Sequence, residues 1–173
     1  MNDYISVNMG IIKFGKAPNR FGTVLGSCIG LALFDNSKKI GGLAHIMLPS
    51  ASAAPVDDKI TSIPIEQRGK FADIAILEMI NYLRCAGADL KRVEAKISGG
   101  AQMFGVKKKS TDITQIGKRN EESVKKILRD YNIRITADDT GGVSGRRMIF
   151  DLTEGKIFVT TTGIGADSAP KVL

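Results

Sequence analysis

Hydrophobic and polar positions along the chain follow two periods, one typical of strands and one typical of helices. Apolar residues at successive or alternate positions predict strands over 8–14, 28–34, 40–48, 93–97, 133–137, 146–151 and 156–161. Apolar residues at helical spacing predict helices over 70–86 and 120–131. Gly87 is placed to end the first helix, and Asn120 is a candidate N-cap of the second. Two helices packed on a mixed sheet are therefore expected, in an α/β or α+β domain.

One internal stretch and the end of the chain lack this periodicity. Residues 49–69 hold small and polar residues with prolines, and they predict a long loop that either borders a functional site or is a disordered insertion. The residues from about 163 onward are small or polar and predict a flexible tail, 163–173. At 173 residues the chain is expected to form one domain over 1–173.

Two apolar segments flank a polar turn and predict a hairpin that joins Cys28, one of two cysteines, to His45, the single histidine. With a two-residue loop at 36–37, Cys28 faces His45 directly and both side chains share one face. A loop one residue longer places Cys28 opposite Ile46 and sends His45 to the other face. The sequence leaves the choice between these registers open.

Cys28 is a candidate nucleophile, because a thiol beside a base attacks carbonyl carbons well near neutral pH. Gly26 and Ser27 precede it and are candidates for substrate contact, with backbone N–H groups placed for an oxyanion. The alternative is an inert buried cysteine, which is common in protein cores. Cys85, on the first predicted helix, has no base nearby in sequence and is expected to be structural.

His45 is the candidate base, and a thiolate–imidazolium pair with Cys28 would lower the pKa of the thiol. The alternative is a core imidazole that is hydrogen-bonded to a backbone carbonyl. Thr23, upstream of Cys28 on what is predicted to be the same strand, is the candidate third group that orients the imidazole or the substrate. The alternative for Thr23 is an ordinary strand residue, since β-branching favours that position.

The net charge and the aromatic content of the chain bear on which class of partner it binds. A net charge of +7 and a pI near 9.5 suit either nucleic-acid binding or an enzyme attracted to an acidic protein surface. Three Tyr, seven Phe and no Trp offer few stacking platforms, and no RNA-binding signature occurs, although the charge alone does not decide between the two interpretations. Nucleic-acid binding is the third interpretation, after the two that follow from the family resemblance below, and no nucleic-acid partner is expected.

Other classes are excluded by what the sequence lacks. No apolar run approaches the roughly 20 residues that span a bilayer, and no secretory signal is visible, so no membrane insertion is expected. Two cysteines do not make a disulfide framework, which favours a reduced, cytoplasmic protein. One histidine and two cysteines make no zinc-ligand set, so no metal is expected. No phosphate-loop or dinucleotide motif matches, and no cofactor is expected.

Several sequence blocks, in order from about residue 4 to 160, resemble one protein family. The main blocks are LGSC at 25–28, GLAHIMLP at 42–49, KFADIA at 70–75, EAKISGGAQMF at 94–104, IGKRN at 116–120 and ADDTGG at 137–142. With these blocks the chain resembles the CheD family, the chemoreceptor glutamine deamidases of bacterial and archaeal chemotaxis. Several independent blocks in one order are far more specific than any single block.

The resemblance implies a three-layer α/β/α sandwich with a mixed sheet and two main helices, similar to the catalytic domain of cytotoxic necrotizing factor toxins. It implies a Cys–His–Thr hydrolase that converts selected receptor glutamines to glutamate and so makes sites available for methylation. Carried over by position, Cys28 is the nucleophile and His45 the base. The family threonine usually stands six residues before the cysteine, where this chain has Gly22, and Thr23 is assigned the third role.

The implied partners are the cytoplasmic helices of methyl-accepting chemotaxis receptors and a CheC-type phosphatase that binds near the active site. The implied reaction is acyl transfer through a Cys28 thioester, with release of ammonia. The alternative function is a non-catalytic binding module that regulates a CheC-type phosphatase or the receptors.

Overall fold

The computed structural model describes residues 3–51, 63–102, 115–163 and 169–173. Ten strands and two α-helices lie within these ranges. The strands are β1 (Ile5–Ser6), β2 (Ile12–Lys16), β3 (Arg20–Leu25), β4 (Ile29–Asp35), β5 (Ile40–Ile46), β6 (Val93–Gly99), β7 (Arg134–Thr140), β8 (Gly145–Asp151), β9 (Lys156–Thr162) and β10 (Lys171–Val172). The helices are α1 (Ala72–Cys85) and α2 (Ile116–Asp130).

The strands form two five-stranded sheets. The central sheet has the strand order β2-β5-β4-β6-β7, and the outer sheet has the order β1-β3-β8-β9-β10. The pairs β6–β7 and β1–β3 are parallel, and the other pairs are antiparallel. Both sheets are therefore mixed.

The central sheet is covered on both faces. All seven residues of β4, with the sequence IGLALFD, are buried, and a continuous apolar run is typical of a strand covered on both sides. Leu31 and Leu33 lie in one core cluster with residues of both helices. Ala32 and Phe34 lie in a second cluster with residues of the outer sheet. The layers are therefore the helices, the central sheet and the outer sheet.

The expected α+β class, with two main helices on a mixed sheet, is confirmed. The layer order differs from the implied α/β/α order, because both helices cover the same face of the central sheet and a second sheet covers the other. Strands β1, β3 and β10 are additions to the predicted pattern, and two of them have only two residues.

The two helices agree with the hydrophobic pattern, except at one boundary. Helix α1 lies within the predicted range 70–86, and Gly87 follows it with φ +80°, as a glycine stop requires. Helix α2 begins at Ile116, so Asn120 lies inside the helix and the prediction that it is the N-cap is wrong. Among the described residues, no helix has the length and apolar character needed to cross a membrane.

Two predicted irregular segments are described only in part. Of the predicted long loop, residues 52–62 lie outside the described residues, and Ile65–Gln67 forms a short 3-10 helix. Of the predicted tail, residues 164–168 lie outside the described residues. At the end of the chain, Leu173 and Ile157 exchange two backbone hydrogen bonds of 2.9 and 2.8 Å beside strand β10.

The hairpin of β4 and β5 has a four-residue loop, 36–39, which is longer than both loops that the sequence left open. Asp35 pairs with Ile40, and Gly30 pairs with His45. Neither of the two registers that the sequence left open therefore occurs, since Cys28 is paired neither with His45 nor with Ile46.

Asp35 accounts for the longer loop. One of its carboxylate oxygens accepts hydrogen bonds from Ser37 N–H at 2.9 Å, Ser37 Oγ at 2.6 Å and Lys38 N–H at 3.2 Å. These bonds satisfy two backbone N–H groups of the loop, a role that aspartate side chains often have in turns. Lys39 completes the loop in the left-handed region, with φ +53°.

Candidate active site

Residues 26–28 carry the chain from the outer sheet to the central sheet. Strand β3 ends at Leu25 in the outer sheet, and β4 begins at Ile29 in the central sheet. Thr23 therefore lies on β3 of the outer sheet, whereas Cys28 is the last residue of the bend, just before β4 of the central sheet. The expectation that they share a strand is wrong, because the chain bends between them at 26–28.

The carbonyl groups of all three crossing residues are held by the scaffold. The donors to the carbonyls of 26, 27 and 28 are, in order, Ala101 N–H at 2.8 Å, Asn120 Nδ2 at 3.1 Å and Gly100 N–H at 2.8 Å. These peptides are trans, so each N–H points away from the carbonyl that precedes it. The N–H groups of Ser27 and Cys28 therefore point away from the anchors, and neither has an acceptor among the described residues.

Cys28 is half-buried between the two sheets. It packs against the cluster that contains Leu25 and Met148. Burial raises the pKa of the Cys28 thiol, because a thiolate there loses solvation. The thiol is consequently neutral at neutral pH.

His45 lies on β5 and is buried, with 3% of its surface exposed. The residues just before β2 hold the His45 backbone in place. His45 N–H donates to the Ile11 carbonyl, and the His45 carbonyl accepts from Gly10 N–H, both at 3.0 Å. Its partner across the hairpin is Gly30. Cys28 stands two residues before Gly30 and packs toward the outer sheet, as His45 does. The thiol and the imidazole therefore share one face, as in the two-residue-loop alternative, because the observed loop is longer than that one by an even number of residues.

Thr23 connects the outer sheet to the imidazole. Its Oγ1 lies 2.7 Å from the carbonyl oxygen of Val7 and 2.7 Å from His45 Nδ1. A carbonyl only accepts, so the hydroxyl donates to Val7 and accepts from His45 Nδ1–H. His45 thus carries its hydrogen on Nδ1, and the lone pair of Nε2 is free. Nε2 is buried and has no hydrogen-bond partner among the described residues.

Burial disfavours the charged form of both the imidazole and the thiol. Burial lowers the pKa of His45, and the Val7 carbonyl opposes this shift only in part. Burial raises the pKa of Cys28. The expected lowering of the thiol pKa by a thiolate–imidazolium pair is therefore wrong for this state, because burial disfavours both charges and no hydrogen bond reaches Nε2 from any described group.

A cavity of about 300 Å³ opens beside His45 and Thr23. Met9 and Val24 line it and are 66% and 55% exposed. Gly22 also lines the cavity, and a Cβ at that position would collide with the ring of Tyr4. Successive strand residues point to opposite faces, so Thr23 faces the imidazole and position 22 does not.

Three residues that contact Thr23, Cys28 or the segment around Cys28 were not predicted from the sequence to do so. Val7 acts through its backbone carbonyl, which no side-chain pattern reveals. The sequence predicts Asn120 only as a helix cap, although its side chain reaches the Cys28 segment from inside α2. Gly99 allows close approach, since its φ is +106° and a Cβ there would overlap the Cys28 carbonyl oxygen. Only the glycine-rich block at 98–101 was a visible signal of such an approach.

The fold and the cluster define a class: an α+β protein with a cysteine, a histidine and a threonine gathered where two stacked sheets meet. The model of the family described as CheD chemotactic sensory transduction matches residues 47–161. The chain belongs to the CheD family. That match begins after Cys28 and His45, so it is independent of the geometry of the cluster.

Curated relatives extend the similarity over most of the chain. A "Probable chemoreceptor glutamine deamidase CheD" of Clostridium novyi (strain NT) is 43% identical over 164 residues, which cover 94% of this chain and 96% of the relative. A protein of the same name from Clostridium botulinum (strain Hall) is 43% identical over 162 residues, which cover 93% of this chain and 94% of the relative.

Proposed function

We propose that the protein is a chemoreceptor glutamine deamidase that uses Cys28 as nucleophile and the Nε2 atom of His45 as base. The observation that carries the proposal is the 2.7 Å contact of Thr23 with His45 Nδ1, which leaves Nε2 free on the face shared with Cys28. The names of the relatives, which are 43% identical, supply the reaction and the substrate class.

The first half of the reaction forms a thioester. The Cys28 sulfur attacks the side-chain amide carbon of a receptor glutamine while its proton moves to His45 Nε2. The imidazolium then protonates the amide nitrogen, the C–N bond breaks and ammonia leaves. Because the thiol and the imidazole are neutral at rest, proton transfer accompanies S–C bond formation rather than preceding it.

The second half restores the enzyme. His45 Nε2 takes a proton from water, and the resulting hydroxide attacks the thioester carbon. The C–S bond breaks, the proton returns to sulfur, and glutamate is released. Water is the only co-reactant, and the net change at the receptor is amide to carboxylate.

Thr23 has an orienting role in this proposal. The Nδ1–H bond to its hydroxyl holds the ring in one tautomer, and the hydroxyl is itself held by Val7. When Nε2 gains a proton, this bond supports the imidazolium without changing partners. A third group that fixes the tautomer in this way is the logic of a catalytic triad.

The N–H groups of Ser27 and Cys28 are the proposed oxyanion donors. Their peptides are anchored through the carbonyls of 26 and 27, so the two N–H groups are set before the substrate arrives. Preorganised donors of this kind stabilise the charge that develops on the amide oxygen. Gly26 contributes by leaving room for the substrate next to the bend.

The proposed substrate partners are the cytoplasmic helices of chemoreceptors. A net charge of +7 favours encounter with a helix crowded with glutamate and glutamine. A CheC-type phosphatase is a second proposed partner, and a cytoplasmic location is proposed because both cysteines are free thiols.

The test is deamidation of a receptor cytoplasmic fragment, measured by ammonia release and by a mass increase of about 1 Da per site. We expect activity in the wild type and in Cys85→Ala, and a loss of at least about 100-fold in Cys28→Ala and His45→Ala, since acid–base and nucleophilic groups contribute that much. Unchanged deamidation by Cys28→Ala or His45→Ala would rule out the dyad.

A non-catalytic binding module is the second candidate, and the burial that raises the pKa of the Cys28 thiol favours it, because a neutral thiol is a poor nucleophile. A receptor peptide with a chloromethyl ketone in place of the target amide distinguishes the two. If the protein is a deamidase, the peptide alkylates Cys28 and leaves the exposed Cys85 unmodified. Alkylation of Cys28 is then slower in His45→Gln than in the wild type. A binding module captures the peptide without modification of Cys28.

A further inference from the structure

We propose that Asn120 is a positioning residue that holds the Cys28 segment in register with the His45 strand. This inference rests on the proposed function and adds to it a residue outside the cysteine, histidine and threonine cluster. Asn120 is fully buried within α2.

One amide group spans both segments. Asn120 Nδ2 donates to the carbonyl of Ser27 at 3.1 Å and to the carbonyl of Met47 at 2.9 Å. Ser27 is the residue before Cys28, and Met47 is the second residue after His45. An amide nitrogen has two hydrogens, and this pair of acceptors uses both.

The two carbonyls lie where the sheets give no support. Ser27 is in the bend between β3 and β4, and Met47 lies just beyond the end of β5. Asn120 therefore replaces the strand pairing that is missing just before Cys28 and just after His45. Without it, neither carbonyl has another described hydrogen-bond donor.

Placing an asparagine at position 120 costs free energy of folding, which its two hydrogen bonds must offset. A buried polar side chain loses its hydration, and asparagine is a weaker helix former than alanine. The second amide atom, Oδ1, is buried without a partner among the described residues. An apolar residue would fit a purely structural role here at lower cost.

Helix α2 is firmly seated on the same scaffold. A Cβ at Gly117 would lie 2.6 Å from the Gly100 carbonyl oxygen, so the first turn of the helix touches that backbone directly. The N–H groups of Gly100 and Ala101 in turn hold the carbonyls of Cys28 and Gly26. Asn120 thus projects from a helix whose distance from the Cys28 segment is fixed by backbone contact.

The chain supplies a matched control one turn along α2. Ser123 Oγ donates to the carbonyl of Pro49 at 2.8 Å, so it ties the same stretch after His45 to the same helix. Ser123 has no hydrogen bond to the Cys28 segment. Removing it tests the effect of loosening α2 from this stretch alone.

The experiment compares Asn120→Asp, Asn120→Ala and Ser123→Ala with the wild type, all in a Cys85→Ala background. Asn120→Asp keeps the size of the side chain but replaces the donor with an acceptor, and Asn120→Ala serves if the aspartate variant does not fold. We measure kcat and KM for deamidation of a receptor fragment, and separately the alkylation rate of Cys28 by iodoacetamide. Far-UV circular dichroism and a urea transition report folding.

We expect both Asn120 variants to lower kcat by about 10- to 100-fold with little change in KM, as a displaced reacting group does. The same variants change the alkylation rate of Cys28, whereas Ser123→Ala leaves kcat and alkylation as in the wild type. Folded Asn120 variants with wild-type kcat and alkylation overturn the proposal, and so does an equal loss in Ser123→Ala. A wild type that never deamidates refutes the proposed function, while the alkylation rates still decide the role of Asn120.

Discussion

The hydroxyl of Thr23 lies 2.7 Å from the Nδ1 atom of His45, and the same oxygen lies 2.7 Å from the Val7 carbonyl. The carbonyl takes the only hydroxyl hydrogen, so the ring nitrogen must provide the hydrogen of the other bond. A backbone carbonyl of the segment after β1 thus selects, through one threonine, which nitrogen of the imidazole is free to act as a base.

The first prediction is the tautomer itself. His45 is the only histidine in the chain, so nitrogen NMR of an imidazole-labelled sample reports on one ring without assignment. Above the pKa of His45 we expect a protonated Nδ1 and an unprotonated Nε2. A spectrum with the hydrogen on Nε2 would contradict the hydrogen-bond chain from Val7 to His45.

The second prediction concerns Thr23→Val, which keeps the shape of the side chain and removes both hydrogen bonds. We expect kcat for deamidation to fall by about 10- to 100-fold, the usual scale for a group that orients a functional histidine. Thr23→Ser retains the hydroxyl and is the control, with kcat near that of the wild type. Equal losses in the two variants would point to packing rather than to the hydroxyl.

The third prediction is the direction in which His45 titrates. Burial lowers the pKa of His45, so its midpoint should lie below the usual value of about 6.5. An imidazole with a lowered pKa stays neutral, and therefore remains a base, to lower pH. A thiolate–imidazolium pair predicts the opposite, since a neighbouring thiolate raises the pKa of an imidazole.

Proton NMR of the single imidazole between about pH 4 and 9 measures this midpoint directly, around the usual value. We expect nearly the same titration in Cys28→Ser, because the resting thiol is neutral. A midpoint above the usual value that drops in Cys28→Ser would show the ion pair instead.

The sequence predicted the parts of the fold in which one pattern dominates. The apolar run at 28–34 predicted strand β4, and the helical spacing predicted α1. The candidate site residues Cys28 and His45 were selected because they are scarce and because a hairpin joins them, but the sequence left the register of that hairpin open.

The rest of the site depends on contacts between distant segments, which local patterns do not contain. The bend at 26–28 separates Thr23 from Cys28, yet the apolar residues on either side of it read as one strand. Asn120 resembles a cap because its neighbours Glu121 and Glu122 are typical of a helix start. Its true role requires knowing that two carbonyls from other segments meet at that helix.

The fourth prediction tests the close approach of the glycine-rich corner to the nucleophile. In Gly99→Ala the new Cβ would overlap the Cys28 carbonyl oxygen, and the φ of +106° is itself strained for alanine. We expect a loss of about 3 kcal/mol or more in the free energy of unfolding, from strain and displacement together. We also expect a lower kcat for the molecules that remain folded.

Gly141→Ala is the matched control for that substitution. Gly141 has a φ of +80°, and the nearest atom to a new Cβ is Glu121 Oε2 at 3.8 Å. Backbone strain alone should cost about 1–2 kcal/mol there, with kcat unchanged. Urea unfolding and deamidation assays check both variants. Equal losses in stability and kcat would mean that the contact with Cys28 has no effect.

The fifth prediction concerns Asp35, which sets the loop and hence the register that places His45. Asp35→Ala removes the carboxylate that binds Ser37 and Lys38, and we expect the free energy of unfolding to fall by about 1–3 kcal/mol near neutral pH. Burial acts to raise the pKa of Asp35, but hydrogen bonds from Ser37, Lys38 and Asp89 outweigh it and the pKa lies below its ordinary value.

A carboxyl whose pKa is lower in the folded state stabilises the fold above its unfolded pKa of about 3.9, and this contribution is lost as the pH falls through the folded pKa. The difference in unfolding free energy between wild type and Asp35→Ala should therefore be constant from about pH 7 to 5 and shrink below about pH 4. Urea titrations across this range measure it. Asp130→Ala, which removes an exposed ion pair with Lys126, is the control and should change stability by less than about 1 kcal/mol. A wild-type advantage over Asp35→Ala that persists unchanged in acid would show that the carboxylate charge does not hold the loop.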